Sequence, residues 1–180
     1  MSVFKKNIKN ILIALAISIV LIIFDQLTKY LAVKHLSDGS VVTFIKGIVN
    51  FRLTYNTGFA FGLGNGYQYI WAIVSVIGTI IIIYFMKDID FKKNLIYTIA
   101  MILVLSGTIG NMIDRIFSAQ GVVDFFDLAF MDFAVFNVAD SYISVGAVFL
   151  CVYVIFIYKE PVEKKQEELK ETNIEDKEND

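Results

Sequence analysis

Four long apolar runs, separated by polar segments, divide the chain. Ile11 to Phe24 is apolar apart from Ser18, and the run continues through Asp25-Gln26-Leu27-Thr28-Lys29-Tyr30. A bilayer core of about 30 Å needs about 20 helical residues. The first membrane span is therefore predicted over residues 11–30. Further runs predict spans over residues 69–86, 95–113 and 138–158. Tyr67, Tyr69 and Trp71 form an aromatic belt at the start of the second. Between the first two spans, Val49, Phe51, Leu53 and Tyr55 alternate with Asn50, Arg52, Thr54 and Asn56. That period of two predicts a half-buried strand, with Val41 to Ile45 as its partner. Residues 116–135 read as a loop. The predicted class is an all-α polytopic membrane protein of four transmembrane helices with a small β-sheet.

Composition supports one membrane domain over residues 1–158. The chain of 180 residues is 57% hydrophobic, with a mean hydropathy of +0.65, well outside the soluble norm. The net charge of −2 hides a division. Residues 159–180 carry nine acids and five Lys, a net of −4, which leaves residues 1–158 at +2. The tail reads as solvated and cytoplasmic, and the charge balance argues against a nucleic-acid partner. A single Cys excludes an internal disulfide, and a lone His cannot build a metal site. The basic start resembles a signal peptide, but no small-residue cleavage site follows it.

Charge also orients the spans. Eleven of the sixteen Lys and Arg lie before span one, between spans two and three, or in the tail. The positive-inside rule places both termini in the cytoplasm. Asp25 then ends span one, Asn111, Asp114 and Arg115 end span three, and Asn137 and Asp140 begin span four. Asp124 and the Asn56 turn fall on the same side, so the polar groups gather near the outer leaflet. A charged group at membrane depth costs roughly 2.5–3.5 kcal/mol at a helix centre, and its default reading is a functional site. The bland reading of Asp140 is a helix cap at the interface. Gly107 and Gly110 share a helix face with Asn111 and Asp114, where small residues allow close helix approach.

The residue types narrow the chemistry. No His or Cys cluster supports a metal, although a carboxylate-only Mg site stays open. A Ser-Lys hydrolase needs a free lysine base, and Lys29 is already offered to Asp25 at i, i+4. A carboxylate pair remains. Two nearby carboxyl groups cannot easily both ionise, so they share a proton and can act as base and acid in peptide hydrolysis, with no cofactor. The candidate pair is Asp124 and Asp140. Asp114 reads as a structural partner of its neighbour Arg115, and Asp127 and Asp132 as solvated loop acids. Two other classes stay open. A transporter would distribute ionisable groups through the membrane depth, and an assembly subunit would need only the glycines.

Five motifs occur in order: Asp25-Gln26-Leu27-Thr28-Lys29, Asn56-Thr57-Gly58-Phe59-Ala60-Phe61, Gly110-Asn111-Met112-Ile113-Asp114-Arg115, Val122-Val123-Asp124-Phe125 and Phe136-Asn137-Val138-Ala139-Asp140-Ser141. On these, residues 10–158 resemble the lipoprotein signal peptidases (signal peptidase II) of bacterial plasma membranes. The resemblance implies an aspartic endopeptidase that removes signal peptides from diacylglyceryl-modified prolipoproteins, cutting before the lipidated cysteine. It implies Asp124 and Asp140 as the catalytic dyad, and Asn56, Asn111, Arg115 and Asn137 as substrate-binding or orienting groups. It implies Asp25, Asp114 and Gly110 as supporting residues, with Asp114 fixing Arg115, and no metal or cofactor. It further implies an extracytoplasmic β-sheet cradle, a short amphipathic surface helix, contact with membrane lipid, and inhibition at the dyad by the cyclic peptide globomycin.

Overall fold

The structure is a computed structural model that describes residues 2–58 and 68–158, with side chains from Ile8 onward. The acidic tail and the aromatic residues Phe59 and Phe61 lie outside the described residues. The elements in order are α1 (Ser2–Leu36), β1 (Val41–Ile45), β2 (Val49–Asn56), α2 (Gln68–Phe85), α3 (Leu95–Phe117), β3 (Val122–Leu128) and α4 (Val138–Val152). Four stretches are long and apolar enough to cross a membrane: Ile8–Leu36, Gln68–Asp88, Leu95–Phe117 and Val138–Ile157. Helices α1 and α3 overrun the predicted spans because backbone hydrogen bonding does not stop where the hydrocarbon ends.

The chain divides into two compact units, Met1–Leu150 and Cys151–Asp180. Of the second, the described part closes with a π-helical turn, Tyr153–Ile157, in which the Tyr158 N–H donates to the Tyr153 carbonyl at 2.7 Å. All else below concerns the first.

Helix α3 is the hub. It packs against α1 and α2 and is the most buried of the four spans. Its contact with α4 depends on small residues. A Cβ at Gly107 would collide with the Ala139 carbonyl and lie 2.7 Å from Ile143 Cγ1, and one at Gly110 would lie 2.6 Å from the Asp25 carboxylate. The other helices present long apolar side chains outward, among them Leu12, Val20, Ile23, Ile73 and Ile80. An exposed apolar surface of that extent marks a membrane-facing wall.

The bundle has two unlike ends. At one, Ala14, Met86, Ile89, Met101, Ile102 and Leu105 form a dry core. At the other, the C-terminal ends of α1 and α3 meet the start of α4 and a three-stranded antiparallel sheet of order β1-β2-β3. The β1–β2 hairpin follows the predicted ranges. Strand β3 replaces the expected loop at its centre: Val122–Leu128 pairs with β2, with Thr54 opposite Asp124. Asp127 is correspondingly not a free loop acid, because Arg52 on β2 pairs with it at 3.1 Å. The short amphipathic surface helix does not appear among the described residues.

Candidate active site

Two strand-like steps bring Asp124 to Asp140. After β3 the chain returns, and Phe136 pairs with Phe126: the Phe126 N–H donates to the Phe136 carbonyl at 2.8 Å and the reverse bond is 3.1 Å. The next residue, Asn137, is the N-cap of α4. Its Oδ1 accepts the Asp140 N–H at 2.9 Å, while Asp140 Oδ2 accepts the Asn137 N–H at 3.1 Å. This is a reciprocal capping box in Asn-x-x-Asp form. Asp140 therefore caps the helix as the bland reading expected, and its carboxylate also lines a cavity.

Asn137 ties the two carboxylates together. Its Nδ2 donates to Asp124 Oδ1 at 2.7 Å, with Asn111 Oδ1 and the Val123 carbonyl at 3.1 and 3.2 Å. Asn111 Nδ2 in turn donates to Asp140 Oδ1 at 2.7 Å. Asn56, at the end of β2, adds a side-chain hydrogen bond to Asp124. The Asp124 carboxyl is pushed up to about 7, first by burial and then by the facing charge of Asp140. Two carboxyl groups sharing one partly buried site resist double ionisation.

Behind this pair lies a buried ionic network organised by Lys29, which is 2% exposed. Its ammonium contacts Asp25 Oδ2 at 3.0 Å, Asp114 Oδ2 at 2.9 Å and Asn111 Oδ1 at 3.0 Å. Its three donors thus meet three close acceptors, with the Gly110 carbonyl farther off at 3.5 Å. Gln26 Nε2 bridges the same groups, reaching the Gly110 carbonyl at 3.0 Å and Asp114 Oδ1 at 3.2 Å. Each buried acid then grips the backbone just before one candidate carboxylate. Asp114 accepts the Val123 N–H at 3.2 Å, next to Asp124, and Asp25 accepts the Ala139 N–H at 2.9 Å, next to Asp140. Gly110 belongs here because a side chain would occupy the place of the Asp25 carboxylate.

One expectation is corrected. Asp114 does not hydrogen-bond Arg115 among the described residues; it is the ion-pair partner of Lys29. Adjacent residues on a helix point in different directions, so Asp114 faces α1 while Arg115 faces the cavity. Lys29 is the candidate site residue that the sequence reading undervalued. Its i, i+4 pair with Asp25 was legible; the second acid, 85 positions on, was not.

The cavity measures about 740 Å³ and lies among α2, α3, the Phe133–Phe136 segment and α4. Its polar lining includes Asn56, Asn111, Arg115, Asp124 and Asp140; Val74, Val122, Leu128, Phe136, Ile143 and Val145 contribute apolar walls. A cavity of this kind, mostly apolar with a few convergent polar groups, is the default candidate for a substrate site. Arg115 feels the charges of Asp140, Asp124 and Asp114, and its Nε is buried without a hydrogen-bond partner. An unpaired buried donor is costly, and this one belongs to a guanidinium that lines the cavity. Among the described residues, no three His, Cys, Asp or Glu side chains converge as a metal site.

The family profile described as Signal peptidase (SPase) II matches residues 17–156. A lipoprotein signal peptidase of Streptococcus pyogenes serotype M2 is 40% identical over 142 residues, covering 79% of this chain and 90% of the relative. That of Enterococcus faecalis is 38% identical over 149 residues, covering 83% and 91%. Among solved structures, a bacterial membrane enzyme determined by the in meso method at 1.9 Å resolution superposes with a TM-score of 0.71 at 31% identity, covering 81% of this chain and 94% of that one. A second, at 2.3 Å resolution, gives 0.69 at 29% identity, covering 82% and 93%. The chain is a multi-pass membrane protein and belongs to the signal peptidase II family of peptidases.

Proposed function

We propose that this peptidase removes signal peptides from diacylglyceryl-modified prolipoproteins, cutting just before the lipidated cysteine, with Asp124 and Asp140 as an aspartic dyad. The observation that carries this reading is that Asn137 holds both carboxyl groups and both line the one cavity. Below about pH 7 Asp124 keeps its proton and hydrogen-bonds the scissile carbonyl. Asp140, fixed by Asn111 and by the capping box, takes a proton from the attacking water. The hydroxide adds to the carbonyl carbon. Collapse of the tetrahedral intermediate breaks the C–N bond, and the dyad delivers a proton to the leaving amine. Arg115 and Asn56 hold the substrate backbone across the cavity mouth.

The cavity's apolar walls suit a signal peptide, itself an apolar helix. With both termini cytoplasmic, the site opens toward the outer leaflet. A bond at that depth is cut while the acyl chains stay in the bilayer, avoiding a cost of roughly 0.8 kcal/mol per CH₂ withdrawn. Globomycin, as a cyclic peptide, would compete for the same cavity. A transporter role finds no support, since all five buried charged residues described, Asp25, Lys29, Asp114, Arg115 and Asp124, gather at one end of the bundle.

The test is a cleavage assay in detergent with lipidated and unlipidated precursor, read by mass spectrometry. Wild type should release a product starting at the lipidated cysteine. Asp124→Asn and Asp140→Asn should each lose at least about 10³-fold in rate while remaining folded. Turnover retained in either variant removes that residue from the dyad. Equal cleavage of unlipidated precursor removes the lipid requirement.

A further inference from the structure

A second cavity of about 350 Å³ lies between the last turns of α1 and the sheet. It shares no lining residue with the cavity of Asp124 and Asp140. Its walls include Leu31, Ala32, Val42, Phe51 and Phe125. Thr28 also faces it, but its hydroxyl is satisfied by the Asp25 carbonyl at 2.7 Å. Apart from His35 on its wall, the interior therefore suits hydrocarbon. Leu31 lines the cavity and is also exposed on the outer face of α1, beside the exposed Leu27. The cavity is thus continuous with the surface that lipid covers.

Length sets its depth. The 29-residue span Ile8–Leu36 rises about 43 Å at about 1.5 Å per residue, more than the roughly 30 Å hydrocarbon core. Its last turns reach the headgroups. There the chain offers Lys34 and His35, both exposed, with His35 on the cavity wall. A cation at this level attracts an anionic headgroup.

We propose that this cavity holds the glycerol-proximal part of one acyl chain of a bilayer phospholipid, its phosphate at Lys34 and His35, and that this lipid buttresses β3. Phe125 forms a wall of the cavity and follows Asp124 directly. Ala32, Leu36 and Phe125 belong to one packed cluster, so a chain lodged among them stiffens the strand that carries Asp124.

The full chain would be reconstituted in nanodiscs containing an anionic phospholipid with a diazirine near the carboxyl end of one acyl chain. After irradiation, labelled residues would be mapped by mass spectrometry. Label is expected on Phe51 or Phe125 as well as on the outward face of α1. Ala32→Trp, which fills the cavity, should lose the Phe51 and Phe125 label and keep that at Leu27. Lys34→Glu, on the surface and harmless to folding, should lower the cavity label severalfold, and it carries the test if Ala32→Trp misfolds. Label confined to the outward face in wild type, or cavity label indifferent to these substitutions, overturns the proposal. So does displacement of the phospholipid label by a prolipoprotein, which would give the cavity to the substrate's own acyl chains. None of these readouts needs turnover, so failure here is separable from failure of the proposed reaction.

Discussion

The two ends of α3 sit in one bundle and are built on opposite principles. Toward its N-terminus, Met101, Ile102 and Leu105 pack into an apolar core with Ala14, Met86 and Ile89. Toward its C-terminus, Gly110, Asn111, Asp114 and Arg115 meet Asp25, Lys29 and Asp124. The first end holds the helices together by shape. The second is held by hydrogen bonds and charge in a place where unpaired groups are costly, so its geometry is all or none. Within membranes, packing and interhelical hydrogen bonds replace the hydrophobic effect as the source of helix association. The comparison separates the two: one end supplies assembly, the other aims two carboxyl groups.

The sharpest way to break that contrast is Lys29→Met. It leaves Asp25 and Asp114 buried without their cation, a loss of about 3–5 kcal/mol in stability. Activity should fall further than the unfolded fraction accounts for, because Asn111 loses the partner that orients it. Unfolding monitored by circular dichroism, beside activity per folded molecule, checks both. Leu105→Ala at the opposite end should cost about 2–5 kcal/mol and leave kcat and KM of the folded enzyme unchanged; a changed KM would mean that the ends are coupled.

A third test uses pH. Asp124 is raised to about 7 from an unfolded value of 3.8. Between those values the folded state holds a proton that the unfolded state has released. Its contribution is complete below about pH 4 and is lost as pH rises through 7. The slope is at most about 1.4 kcal/mol per pH unit for one proton. Asp124→Asn should flatten the pH dependence of Tm in that window. The smallest effect is expected at the sheet, where the half-exposed Arg52–Asp127 pair should contribute no more than about 1 kcal/mol. Arg52→Ala should leave cleavage intact, as measured in the same assay.

The apolar runs made the four spans legible, because nothing else needs some 20 apolar residues in a row. Alternation made β1 and β2 legible. Strand β3 was hidden for a physical reason: Val122, Val123 and Phe125 are all buried, so the segment shows no period of two. The candidate site residues were legible as types, since carboxylates and amides at the ends of apolar spans are conspicuous. Their wiring was not. Asp25 meets Ala139 and Lys29 meets Asp114 across more than 80 positions. The sequence neighbours Asp114 and Arg115, which looked like a pair, face different ways.

The amides between the two sets of acids have a consequence for proton traffic. Asn111 and Asn137 stand between the Asp124–Asp140 pair and the Asp25–Lys29–Asp114 cluster. A carboxamide donates N–H bonds but neither gains nor releases a proton near neutral pH. The cluster is wired to Asp124 and Asp140 mechanically and insulated from them as an acid–base reservoir. In the proposed reaction the protons that Asp124 and Asp140 exchange therefore pass on the cavity side, with water and substrate.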